Sequence, residues 1–64
     1  MCLSAVYRSS QSPSNLILSN VQRIENRDGV IVLTDLMDRE VAVEGRIMLA
    51  DLVGGVVVIE ETAN

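Results

Sequence analysis

Between Glu40 and Glu44 the chain reads EVAVE, with Val41 and Val43 set between Glu40, Ala42 and Glu44. Successive side chains of a strand point to opposite faces, so this alternation predicts a strand with one buried and one solvated face. Other apolar stretches are denser. Leu3–Arg8 (LSAVYR) predicts a first strand, Val30–Leu36 (VIVLTDL) and Arg46–Val53 (RIMLADLV) later ones, and Val56–Glu61 (VVVIEE) the last. Leu16–Asn26 is less determinate. Its apolar positions Leu16, Ile17, Leu18, Val21 and Ile24 fit a helical stripe as well as a bent strand, and the strand is preferred.

The segments between follow turn chemistry. Ser9–Asn15 is polar, holds the only proline and reads as a loop. Asp28-Gly29 is a strong hairpin signal, because a type I′ turn needs positive φ at both central residues. Met37-Asp38 and Gly54-Gly55 mark two further turns, and Gly45 is expected to interrupt its strand as a bend or bulge. Thr62–Asn64 should fray. Ten valines and five isoleucines in 64 residues agree with strands throughout, since β-branched side chains suit a pleated surface. The expected architecture is all-β: one domain over residues 1–64, a small antiparallel barrel of SH3-like or Sm-like type with five or six short strands. No repeat or low-complexity tract divides it. Val56–Ile59 is apolar on both faces. It is either the central strand of a tight barrel or a strand with one face in a subunit interface, for which a two-fold dimer is the commonest form.

Size and cysteine content sharpen the need for a partner. A chain this short buries only about 60% of the surface its unfolded form exposes. One cysteine makes no intrachain disulfide, which leaves a metal, a second chain or both as the stabilising addition. No apolar run approaches the roughly 18 residues that span a bilayer, and no secretory signal pattern opens the sequence, so no membrane partner and a cytoplasmic location are expected. The net charge is −4, from nine carboxylates against five arginines and no lysine, and Tyr7 is the only aromatic. Nucleic-acid binding rests on cationic contacts and base stacking, so no nucleic-acid partner is expected. A small SH3-like or Sm-like module that binds protein or RNA without metal is the alternative function. Its RNA version lacks both a basic groove and aromatics.

Enzymatic chemistry has little to stand on. Without histidine, no Ser/His/Asp or Cys/His arrangement can be built in one chain, and without lysine Schiff-base chemistry and a phosphate-gripping lysine are excluded. Asp35, Asp38 and Glu40 around the TDLMDRE turn could approach a hard cation. Aspartates also favour turns by hydrogen-bonding their own backbone, and that is the preferred role. Glu60 and Glu61 are expected to solubilise a strand end.

Cys2 remains. It can be a small buried hydrophobe on an edge strand. It can also be a ligand: its thiolate, its own amide nitrogen and the amine of Met1 form two fused five-membered chelate rings. The α-amino pKa near 7.7–8 leaves that nitrogen available at neutral pH. Nitrogen and thiolate donors in a plane suit nickel(II) or copper(II), whereas zinc takes a tetrahedron. Two chains about a two-fold axis could share one ion and so supply two sulfurs without histidine. A Cys2–Cys2 disulfide between copies would instead need Cα atoms within about 7 Å.

MC at the start, then DGVIVLTDL, REVAVEGRI, ADLVGG and VVVIEE, resembles the CooT family of small nickel-binding proteins, accessory to maturation of nickel-containing carbon monoxide dehydrogenase. The resemblance covers nearly the whole chain apart from Ser9–Asn15 and the tail. It implies a cytoplasmic homodimer that binds one nickel(II) at its interface through Cys2, with Met1 donating its amine. It also implies a non-enzymatic carrier role and contact with a nickel-enzyme maturation protein or the apo-enzyme. The LMDRE turn departs from the family pattern, with Asp38 where a glycine is expected.

Overall fold

The computed structural model describes residues 3–62. Five strands follow in chain order: β1 (Ser4–Arg8), β2 (Leu16–Arg27), β3 (Val30–Asp35), β4 (Glu40–Asp51) and β5 (Val56–Glu61). Each pairs antiparallel with the next, and β1 pairs with β5 in parallel to close the ring. The expected antiparallel pairing therefore holds at four seams and gives way at the fifth. The cause is parity: in an up-and-down ring with an odd number of strands, the first and last run the same way.

Closing so small a ring requires two long strands that each serve two neighbours. β2 pairs with β1 through Leu16, Leu18 and Val21, and with β3 from Val21 to Arg27. It bends where it changes partner: Asn20 has φ 55°, and the register shifts between Val21 and Arg23. That bend explains the ambiguous apolar spacing of Leu16–Asn26, because an irregularity in a strand breaks the two-residue period. β4 does the same. Glu40–Glu44 lie on β3, and Gly45–Asp51 lie on β5. Gly45 does not interrupt the strand as expected. It is the hand-over residue, and the two strands cross so closely there that a Cβ would run into the Glu60 carbonyl oxygen. The register shift falls later, between Ile47 and Leu49.

The connections agree with their residues. Asp28 and Gly29 have φ 52° and 86°, the type I′ requirement, and join β2 to β3. Between β4 and β5 the turn takes four residues, Leu52–Gly55, rather than two, because β4 ends at Asp51 and not at Val53. The Asp51 carboxylate accepts from the Gly54 amide at 2.9 Å, and its carbonyl from the Gly55 amide at 2.8 Å. The Ser9–Asn15 loop contains a 3-10 turn at Pro13–Asn15.

The hydrophobic core is aliphatic: Val6, Val21, Ile31, Leu33, Val43, Val57 and Ile59, flanked by Ile17, Leu18, Ile24 and Val41. Val57 and Ile59 point inward, so Val56 and Val58 point outward. β5 lies between β1 and β4. The apolar run Val56–Ile59 thus has strand neighbours on both sides, with Val58 buried and Val56 half-buried on the outward face.

Candidate functional site

Cys2 and Met1, the expected metal ligands, lie outside the described residues. The structure defines the seat to which they are bonded. Ser4 pairs with Val21 on one side and Ala5 with Val56 on the other. The Ala5 amide donates to the Gly55 carbonyl at 2.8 Å, and the Leu3 carbonyl stands 3.2 Å from the place a Cβ on Gly55 would occupy. β1 is therefore fastened from its first residues, at the rim where the Leu52–Gly55 turn sits. Cys2 directly precedes Leu3 in the sequence. The turn at that rim is apolar and open: Leu52 and Val53 are 74% and 96% exposed.

The carboxylates of the TDLMDRE turn serve the fold. Asp35 is 1% exposed. Its Oδ1 accepts from the amides of Met37 and Arg39, both at 2.9 Å, and its Oδ2 from the Arg39 guanidinium Nε at 2.7 Å. Burial by itself would raise its pKa, but the backbone and guanidinium donors outweigh burial and hold the carboxyl below the ordinary aspartate range. Asp38 accepts from the Gln22 side chain at 3.2 Å. Three donors take three of the roughly four acceptor sites of this carboxylate, so its role is to hold the turn. Among the described residues no group of three or more Cys, Asp and Glu side chains is placed to hold a metal ion. Asp38 has φ 64°, a left-handed conformation that glycine adopts without strain. The departure from the expected glycine is thus a matter of turn geometry alone.

The surface charges are paired. Arg8 meets Glu61 at 3.5 Å and Arg46 meets Glu60 at 2.7 Å. Glu25 lies between Arg27 at 2.8 Å and Arg23 at 3.5 Å, and the Arg27 hydrogen bond draws its pKa down. With Arg39 on Asp35, each of the five arginines has a carboxylate partner, so the described residues present no unpaired arginine. No helix is long and apolar enough to cross a membrane among the described residues.

The sequence marks Arg46–Val53 as a strand, but the exposure of its apolar side chains was not anticipated. Ile47, Met48 and Leu49 are 43%, 55% and 51% exposed. Three consecutive apolar residues in one strand must place at least one on each face, and that signal was present in RIMLADLV.

The pattern of the family described as CO dehydrogenase accessory protein CooT matches residues 1–60. No curated protein matches the sequence. Among solved structures, a crystal structure assigned to CooT from Carboxydothermus hydrogenoformans is similar in fold, with a TM-score of 0.84 at 14% identity over 97% of this chain and 100% of the other.

Proposed function

Since the chain belongs to the CooT family of CO dehydrogenase accessory proteins, and so supports that enzyme rather than acting as one, we propose that it carries nickel(II) as cargo for maturation of the enzyme. In this reading a homodimer in the cytoplasm binds one ion. Cys2 of each copy supplies the thiolate, and the backbone nitrogens of Met1 and Cys2 supply further donors. A chain without histidine has few other routes to a soft, planar donor set. The single observation that carries the reading is the fastening of β1 at the rim. The Ala5 amide donates to the Gly55 carbonyl and Ser4 pairs with Val21, so the start of β1 is fixed beside the exposed Leu52–Gly55 turn, and this supports the reading. One thiol per chain fits a reducing compartment.

The test is a titration of nickel(II) into the full chain and into Cys2→Ser, following thiolate-to-nickel absorption. Saturation at one ion per two chains is expected, with the absorption absent in Cys2→Ser. Equal uptake by the two forms rejects the assignment.

A further inference from the structure

Closing the ring leaves part of β4 with a strand neighbour on one side only. The Gly45 amide donates to the Gly29 carbonyl at 3.0 Å, and from Arg46 to Asp51 the strand pairs with β5 alone. Among the described residues, no backbone hydrogen bond reaches the other side of Arg46–Ala50. Alternate residues there point their N–H and C=O groups outward, along a sheet edge about 20 Å long. Such an edge is normally blunted by charge or proline. This one carries Ile47, Met48 and Leu49, which are 43%, 55% and 51% exposed, so apolar side chains stand on both faces of the strand. Carboxylates stand at its ends. Glu44 and Asp51 are exposed, and neither has an arginine partner among the described residues. The one cation of the segment, Arg46, is held by Glu60 at 2.7 Å. Past Asp51 the edge runs into the Leu52–Gly55 turn, whose Gly55 carbonyl holds the Ala5 amide, so it leads to the rim where β1 begins.

We propose that Arg46–Asp51 is a docking edge for an extended segment of a partner protein, which adds to β4 as a further strand and carries apolar side chains at its centre and a Lys or Arg at each end. A row of outward donors and acceptors is matched by an extended backbone, and the exposed aliphatics on both faces are matched by its alternate side chains. The cations follow from Glu44 and Asp51 at the two ends and from the net charge of −4. A second copy fits poorly. Two identical edges paired about a two-fold axis would set their irregularities between Ile47 and Leu49 against each other and lose ladder bonds on both strands, whereas a regular partner strand meets one irregularity. For the partner's identity the inference rests on the carrier reading above: docking here sets a client, or a protein of its maturation, beside the start of β1.

The experiment uses the full chain in chelator and the blocked peptide Lys-Val-Thr-Val-Thr-Val-Lys, read by titration calorimetry and amide hydrogen exchange. Saturable binding with Kd below about 1 mM is expected, with slowed exchange at Ile47–Leu49. The same peptide methylated at the backbone nitrogens of one edge keeps its side chains but loses those donors, and should bind at least about tenfold more weakly. Glutamate in place of both lysines should also weaken binding about tenfold, and less so at high salt. Ile47→Lys and Leu49→Lys should each weaken it about tenfold; Met37→Lys, on the separate β3–β4 turn, should leave it unchanged. Circular dichroism shows which variants keep their strands, and the methylated peptide tests the edge without any variant. Absence of binding, equal affinity for the methylated peptide, unchanged affinity in folded Ile47→Lys and Leu49→Lys, or an equal loss in Met37→Lys overturns the inference. So does protection of the Ile47–Leu49 amides in the free protein that disappears on dilution, which would assign the edge to a second copy. If the peptide fails while Cys2-dependent nickel uptake persists, the edge is rejected and the carrier reading stands. If the peptide binds as expected and nickel uptake ignores Cys2, the edge stands and the carrier reading fails.

Discussion

The guanidinium Nε of Arg39 sits 2.7 Å from Oδ2 of Asp35, joining a largely exposed cation to a carboxylate that is 1% exposed. With the Met37 and Arg39 amides on the other oxygen, this pair turns the chain from β3 into β4 and leaves the carboxylate satisfied.

Asp35→Asn keeps an oxygen for the two amides but turns a donor toward Arg39. The variant should melt at least about 5 °C lower than the parent, a sizeable shift for a domain of this length. A surface control, Asp28→Asn, should move the midpoint by much less. The two midpoints by circular dichroism at neutral pH decide it.

The same carboxyl sets an acid limit. Its folded pKa lies below the unfolded value, so its contribution is fully present above the ordinary aspartate range near 3.9 and is lost as pH falls through the lowered folded value. Melting temperature should therefore fall as pH drops below about 4, and this part of the loss should be missing in Asp35→Asn. Parallel acid curves for the two proteins would count against the role given to Asp35.

Gly45→Ala should destabilise by about 1–3 kcal/mol, because the added Cβ meets the Glu60 backbone and not a side chain that can swing away. Urea unfolding measures it. An unchanged midpoint would mean that β4 and β5 separate there at no cost.

Ile59→Ala removes a fully buried side chain from the aliphatic interior. A loss of about 3 kcal/mol or more is expected, against a typical total of about 5 kcal/mol for a small domain. Most of the variant should be unfolded at 37 °C, as judged by loss of the strand signal.

Asp38→Gly should stay within about 0.5 kcal/mol of the parent, because relief at φ 64° offsets the lost contact with Gln22. Asp38→Val should cost more than about 1 kcal/mol, since a β-branched residue fits the left-handed region poorly. Equal stability of the two variants would show that the turn relaxes out of that conformation.

Local pattern was enough for much of the fold. β1, β3 and β5 fall within a residue of the segments marked by their apolar runs, and Asp28-Gly29 turns with the φ signs its residues require. The absence of histidine and lysine, the lone thiol at Cys2 and the acidic charge are properties of composition and hold in any conformation. Tertiary structure alone decided the rest. β4 runs unbroken through Gly45 because a partner exchange, invisible in one strand, lets a glycine serve as a crossing point. β1 and β5 run parallel because five strands close a ring. Asp35 is structural because Arg39 and two amides converge on it. Leu16, Tyr7, Val58 and Leu49 share a row because register joins residues far apart in the chain. Periodicity reports which face a residue prefers; only closure of the ring determines which residues become neighbours and which apolar side chains it leaves uncovered.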